Sequence, residues 1–425
     1  MTQIAVLGCG TVASGVIRLL QLHGESIRKQ LGEEIVLRKV LARTPEKAFR
    51  LGLREDQVCS DFSVILNDPS ISVVIELIGG TDDAYIFVSS ALAAGKNVVT
   101  ANKDLIASRY PELADLAEKH GVSLAFEASV GGGIPLIDPI RRTLAANTIQ
   151  SVYGILNGTT NYILTRMTND GMPYAEALRQ AQELGYAEAD PSSDVGGADA
   201  ARKIAILASL AFHTTVTYDE VFHEGITDVT QTDIRFADRS GYVIKLLAAA
   251  RRKDDGCEVY VRPALLSKSH PLASVSDAFN AVFINGDAVG EVMLYGRGAG
   301  SMPTASSVVG DLMSVIRERG AGETAGSARF ESVPVLDVLT TEHVYYVRLS
   351  VQDRPMVLAG VAGVFGSHGV SLASLVQEER GEDAAELMLF THRTSESRMA
   401  AAMADLRRME SVFEGTFRIC LEDTK

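Results

Sequence analysis

Met1-Thr2-Gln3-Ile4-Ala5-Val6-Leu7-Gly8-Cys9-Gly10-Thr11-Val12-Ala13 opens the chain. Gln3–Leu7 is an apolar run that predicts a strand, and Gly8–Ala13 matches G-x-G-x-x-(G/A) at the start of a helical pattern. In such a turn Gly8 permits the tight bend and Gly10 lets a pyrophosphate approach the backbone. Ala13 allows close helix–strand packing, and the helix N-terminus attracts the anion. A glycine-rich turn without a ligand is the alternative, but the strand–turn–helix setting favours a dinucleotide. The stretch has no basic segment and no long apolar core, so it reads as a first strand and not as a signal peptide.

Outward from this turn, residues 1–130 alternate short apolar runs with helical stretches. The expected strands are Gln3–Leu7, Ile35–Ala42, Ser72–Ile78, Asn97–Thr100 and Ser123–Glu127, with helices such as Ala13–Leu22, Asp83–Ala94 and Tyr110–His120 between them. Continuous Val/Ile/Leu strands separated by helices predict an α/β domain, a Rossmann-type doubly wound parallel sheet with its ligand at the carboxyl ends of the strands. Residues 131–302 read as a second, α+β domain. Its expected helices are Tyr162–Asn169, Tyr174–Leu184, Asp199–Phe212 and Ile234–Arg251, and its short strands lie near Glu258–Pro263, Ala281–Ile284 and Glu291–Leu294. Pro303–Arg319 predicts a helix that returns to complete the first domain, over about 303–320. Residues 322–341, with Gly322, Gly326 and Pro334, make a linker. The remainder, 342–425, reads strand, helix, strand, strand, helix, strand: His343–Val351, Met356–His368, Ser371–Glu379, Ala384–His392, Glu396–Met409 and Val412–Leu421. That βαββαβ order is the ferredoxin-like plan.

The bulk properties narrow the function classes. A formal net charge of −14 argues against a nucleic-acid partner. No apolar run reaches the roughly 18–20 residues that span a bilayer, so no membrane partner is expected. Cys9, Cys59, Cys257 and Cys420 are scattered without CxxC spacing, which fits a reducing cytoplasm and neither a disulfide framework nor a zinc site.

Residues 186–203 carry the strongest chemical signal. Glu188, Asp190, Asp194, Asp199 and Lys203 crowd a turn-rich stretch just before the apolar run Ile204–Phe212. Asp199 and Lys203, four apart, share a helix face. A helix apolar on all sides is buried, which puts Lys203 at the mouth of a core helix. The dipole at a helix start disfavours its charge and the carboxylates favour it. Such an amine is suited to general acid–base work; a structural Asp199–Lys203 ion pair is the alternative. Arg43, with Lys47 a turn later, stands where NAD enzymes place an acid and suits the 2′-phosphate of NADP, or is a solvated strand-end arginine. Lys103, after Thr100, is placed to reach the nicotinamide side or the substrate, or simply starts a helix in solvent. The glycine run after Glu127 offers carbonyls for a hard cation or serves as a hinge. Asn157-Gly158-Thr159-Thr160-Asn161 suits a small zwitterion or a pyrophosphate, or is an ordinary cap. Gly296–Ala305 is a second glycine loop before a helix, able to touch the nicotinamide half or to act as a linker.

Taken together, Gly8–Ala13, Thr100–Lys103, Glu127–Pro135, Asn157–Asn161, Gly185–Lys203 and Gly298–Ala305 closely resemble the homoserine dehydrogenase family, over residues 1 to about 320. The resemblance implies reversible NAD(P)H-dependent reduction of aspartate 4-semialdehyde to homoserine, a step toward threonine, methionine and isoleucine. It implies Lys203 as the catalytic lysine and Lys103 as a second lysine near cofactor and substrate. Glu188 would grip the substrate, with Asp194, Asp199, Gly158 and Thr159 in the same pocket. Gly8, Gly10, Thr11, Val12, Arg43, Thr100, Lys103 and Gly300 would contact NADP, with NAD as the alternative. Glu127 with the carbonyls of Val130, Gly132 and Ile134 would hold a structural monovalent cation such as sodium. A homodimer through the middle domain, or a homotetramer, is implied. The tail resembles an ACT domain, an amino-acid-sensing module, with threonine as the effector by analogy or with a role in oligomerisation alone. Met356 stands where that family usually has glycine.

Two rival readings are weighed. Aspartate-semialdehyde dehydrogenase needs an activated cysteine, and Cys257, in Asp-Gly-Cys-Glu, shows no sign of activation. A non-catalytic sensor would have lost Lys203 or Glu188, and both are present. With the first strand at the start of the chain, no kinase domain is expected ahead of it.

Overall fold

The computed structural model describes residues 1–321, 333–381 and 383–422. In chain order the first stretch contains β1 (Thr2–Leu7), α1 (Thr11–Leu31), β2 (Ile35–Leu41), α2 (Pro45–Phe49), β3 (Val58–Cys59), α3 (Ser63–Leu66), β4 (Ile71–Glu76), α4 (Asp82–Ala93), β5 (Asn97–Thr100), α5 (Lys103–Lys119) and β6 (Leu124–Ala125). The middle contains β7 (Ile149–Ile155), α6 (Gly158–Asn169), α7 (Tyr174–Glu183), α8 (Ser192–Val195), α9 (Ala198–Phe212), β8 (Phe222–His223), α10 (Gln231–Arg239), β9 (Tyr242–Lys253), β10 (Gly256–Ser267), β11 (Phe279–Gly286), β12 (Gly290–Arg297) and α11 (Ser301–Ala321). The last stretch contains β13 (Glu342–Gln352), α12 (Val357–Ser367), β14 (Leu372–Glu379), β15 (Ala384–Thr391), β16 (Thr394–Ser395), α13 (Glu396–Leu406) and β17 (Phe417–Leu421). The chain divides into two compact units, 1–150 with 202–219 and 280–333, and 151–201 with 220–279 and 334–425, so it passes from one to the other inside α9.

The first unit holds a six-stranded parallel sheet in the order β3-β2-β1-β4-β5-β6, the doubly wound order. Ile4, Val6, Val73 and Ile75 are wholly buried in it. Ala305, Val308, Val309, Leu312 and Val315 of α11 join Ala13 and Val16 of α1 in the same apolar core. Gly15 makes this close approach possible: a Cβ there would lie 2.5 Å from the Ser301 carbonyl oxygen.

In the second unit the strands run β7-β9-β10-β17-β13-β15-β14. β9 and β10 are a long antiparallel hairpin in register from Gly256↔Lys253 to Ser267↔Tyr242. Its C-terminal part has the ferredoxin-like order β17-β13-β15-β14. The edge strand β17 continues into β10 through the parallel pairs Ala264↔Cys420 and Leu265↔Leu421.

Several expected elements differ. Ile234–Arg251 is not one helix: α10 ends at Arg239, and Tyr242–Lys253 is a strand. Gly241, with φ +86, breaks the helix. The run Ala248-Ala249-Ala250, helical by propensity, is fully buried as the middle of a ladder, where packing overrides propensity. Ser123–Glu127 shortens to Leu124–Ala125 because Glu127–Ser129 turns as a 3-10 helix. The strand expected over Val412–Leu421 starts at Phe417. Of the expected linker, 322–332, with Gly322 and Gly326, lies outside the described residues. Its remainder is bonded to β10, since Cys257 N donates to the Pro334 carbonyl at 2.9 Å and Leu336 N to that of Cys257 at 2.8 Å.

Candidate active site

The nucleotide end of the first unit is built from strand ends and helix starts. Gly8 has φ +102, and a Cβ on it would meet the Leu77 carbonyl oxygen at 2.8 Å, so only glycine fits this bend. A Cβ on Gly10, at the N-cap of α1, would meet nothing, so that face stands open. Ser301, first residue of α11, donates its hydroxyl to the carbonyl of Thr11, first residue of α1, at 2.7 Å. Two helix N-termini therefore meet beside Gly10 and Val12, an arrangement that attracts a pyrophosphate. Gly300, with φ +120, forms the turn into α11. A cleft of about 350 Å³ runs from Gly8 and Gly10 past Arg43, Thr44 and Lys47 to Ile78 and Asp83. Arg43 is almost fully exposed at its rim, and its Nη2 meets Asp83 Oδ2 at 2.7 Å.

Glu76 and Asn102, neither singled out from sequence, organise the carboxyl ends of β4 and β5. Glu76 is fully buried; Oε1 accepts from Ile78 N at 2.8 Å and Oε2 from the Thr100 hydroxyl at 2.6 Å. Thr100 Oγ1 in turn accepts from Asn102 N, and the Asn102 side chain caps α5 through Leu105 N. A carboxylate inside an apolar strand run was the available signal. Lys103 begins α5 and is half-buried. Its neighbour Asp104 forms a 2.8 Å ion pair with Arg202, the neighbour of Lys203, and Arg202 also stacks over Tyr218. The segments bearing the two lysines are thus tied together. Lys203 is half-buried.

Glu127 is buried, and its carboxylate accepts from the backbone N–H groups of Leu136, Ile137 and Asp138. Burial raises its pKa against those bonds. Asp311 accepts from Glu127 N at 2.8 Å and is pushed up to about 8, chiefly by burial. The Gly132 carbonyl accepts from Ser307 Oγ, and a Cβ on Gly132 would overlap Gly298, so this glycine run is a close backbone crossing. The donor set is oxygen-rich and acidic, which fits a hard cation. The Glu127 side chain, with its three bonds, is already committed to shaping the loop.

In the second unit, α6, α8 and the start of α9 gather the acids. Asn157 sits at the N-cap of α6, and its Oδ1 accepts from Thr160 N at 2.9 Å. Its Nδ2 donates to Asp194 Oδ1 at 2.7 Å and to Asp199 Oδ2 at 2.8 Å. Gly158 is half-buried, and Thr159 donates its hydroxyl to the Tyr186 carbonyl at 2.6 Å and faces Asp194 Oδ2 at 3.3 Å. Asp199 is buried and Glu188 is exposed. Lys203 follows Asp199 by one turn of α9. Cys257 is buried with its thiol pushed up to about 11 by desolvation, which leaves it unreactive.

Among the described residues, one trio of metal-type ligands lies close together, His343, Cys420 and Glu422. Arg251 and Tyr260 already hold Glu422, and Arg262 meets His343 Nε2, so positive charge is supplied by the protein itself.

The doubly wound sheet with its paired helix N-termini is built for a dinucleotide, and the family matches make the class an NAD(P)-dependent oxidoreductase acting on a CH–OH group. Residues 8–127 match the family profile described as homoserine dehydrogenase, NAD binding domain, residues 135–313 that of homoserine dehydrogenase, and residues 345–411 that of the ACT domain. The chain is 43% identical over 426 residues to the homoserine dehydrogenase of Synechocystis, covering 97% of each. The crystal structure of a homoserine dehydrogenase from Thiobacillus denitrificans superposes with a TM-score of 0.93 at 39% identity, covering 99% of this chain and 98% of that one. A hyperthermophilic archaeal homoserine dehydrogenase, solved in complex with NADPH, aligns with a TM-score of 0.65 at 27% identity, covering 75% of this chain and 98% of its own. The chain belongs to the homoserine dehydrogenase family.

Proposed function

We propose that the protein reduces L-aspartate 4-semialdehyde to L-homoserine, reversibly, with NADP in preference to NAD. The observation that carries this reading is the Asp194–Asn157–Asp199 group, with Asn157 and Asp199 buried and Asp199 four residues before Lys203 on α9. Clustered carboxylates attract a cation, and the ammonium of a small amino acid is one that fits. Glu188, Gly158 and Thr159 complete the pocket. The bound cofactor supplies the hydride. The Lys203 ammonium gives a proton to the oxygen that develops charge, and in the reverse direction the uncharged amine withdraws the hydroxyl proton. Lys103 is the second amine, held near by the Asp104–Arg202 pair. Arg43, with Lys47 one turn on, takes the 2′-phosphate, supported by its position on the rim of the cleft. Gly8, Gly10, Thr11, Val12, Thr100 and Gly300 shape the cofactor groove. A monovalent cation such as sodium sits on the carbonyls of Val130, Gly132 and Ile134, with Glu127 holding the loop. The protein acts in the cytoplasm as a homodimer or homotetramer, feeding threonine, methionine and isoleucine synthesis, and its ACT domain takes an amino-acid effector, with threonine the first candidate.

The test is Lys203→Ala, followed as homoserine-dependent reduction of NADP. Turnover is expected to fall about 10²–10⁴-fold, with cofactor affinity, read by fluorescence titration, nearly unchanged. Near-normal turnover would overturn the assignment.

A further inference from the structure

Like-charged carboxylates repel, and within the second unit Asp194 comes from α8 and Asp199 from the first turn of α9. One amide bonds to both of them. The two N–H groups of Asn157 Nδ2 are divided between them, at 2.7 Å to Asp194 and 2.8 Å to Asp199. The amide cannot turn over to do anything else. Its oxygen accepts from Thr160 N at 2.9 Å and from the Thr160 hydroxyl at 3.0 Å, so the nitrogen must face the acids. Asn157 is buried, so water does not replace these bonds cheaply.

We infer that Asn157 is a positioning residue for the carboxylate pair and thereby sets recognition of the substrate's ammonium. The inference rests on the proposed amino-acid substrate. Its logic is charge-assisted: both hydrogen bonds end on carboxylate oxygens, so they favour the ionised forms that an ammonium needs. The same side chain also caps α6, and the two roles separate experimentally. Serine is as good an N-cap as asparagine but has no second donor to span two acids.

Asn157→Ser is therefore expected to keep the fold and the cofactor affinity of the parent, with a modest drop in melting temperature from the two lost bonds, while the KM for homoserine rises about 10- to 100-fold, the effect of losing charge-assisted hydrogen bonds. The turnover number should fall much less. A hydroxy acid of the same length without the ammonium group is the control inhibitor, and its affinity should not weaken. Asn157→Asp also keeps the cap but adds a third like charge, and should disturb homoserine binding as well. An unchanged KM in Asn157→Ser, or equal weakening for homoserine and the ammonium-free inhibitor, would overturn the inference and leave Asn157 a helix cap. Failure of the underlying reading looks different: the parent protein itself would show no homoserine-dependent reduction of NADP.

Discussion

The parallel sheet of the first unit and the mixed sheet of the second solve the same problem with different forces. Ile4, Val6, Val73 and Ile75 are wholly buried in the first, in contact with other aliphatic residues. The second carries charge in its interior. Arg262, 1% exposed on β10, pairs with Glu396 of α13 at 3.1 Å and meets His343 of β13. Glu396 also accepts from the Tyr345 hydroxyl at 2.7 Å and pairs with Arg418 of β17. Asp233 of α10 takes Arg348 Nε and the Tyr346 hydroxyl, each at 2.8 Å. Apolar packing is non-directional and rewards any snug fit. Charged groups out of water are costly unless met by one particular partner. Apart from Glu76 at its carboxyl end, the first sheet is therefore held mainly by quantity of contact, and the seam between β10 and the ACT domain by identity of contact.

The largest expected effect comes from removing one side of that seam. Arg262→Ala takes one of three partners from Glu396, leaves His343 without its own, and empties a buried site, and should cost about 2–5 kcal/mol, against about 0.5–1.5 kcal/mol for Ile75→Val in the parallel sheet; urea unfolding of both measures the contrast. Equal losses would break the comparison.

Acid should act on the seam as well. His343 is held down to about 2 by burial first and then by Arg262 and Arg251. The unfolded chain, near 6.5, binds the proton more readily, so stability present above pH 6.5 is lost as the pH falls. The slope is at most about 1.4 kcal/mol per pH unit. His343→Gln keeps an acceptor for Arg262 and cannot titrate; its stability–pH curve should be flatter between pH 4 and 6.5 on the order given. An unchanged slope would assign the acid sensitivity elsewhere.

The smallest effect concerns Met356, at the N-cap of α12 with φ +73. A side chain in this left-handed conformation is strained where glycine is not, so Met356→Gly should raise the melting temperature by an amount worth about 1 kcal/mol. A loss of stability would mean that the exposed methionine makes contacts in solution that offset its strain.

These contrasts also explain what was legible in the sequence. The parallel sheet announced itself because each strand is a continuous aliphatic run, and the glycine turn after β1 is a local pattern. The ACT order was readable from alternating elements. The helix expected across Tyr242–Arg251 failed because alanines favour a helix locally, while the pairing with β10 that makes them strand is tertiary. Asn157 was visible as a cap, but its two acidic partners lie 37 and 42 positions away. Buried Glu76 looked like an interruption in an apolar run, since its partner Thr100 is 24 positions on. Lys103 and Lys203 stood out as amines, whereas the Asp104–Arg202 bridge beside them had no sequence signature.

The parallel pairing of β17 on β10 bears on how the polypeptide is made. Cys420 reaches back to the Pro263 carbonyl across 157 positions. On a ribosome, the long hairpin emerges well before the strand that completes its edge. Closing that loop carries a large entropic toll and slows assembly. Until β17 arrives, an unpaired rim with a sequestered arginine is open to any passing strand, so this edge is the place where premature association between nascent copies would begin.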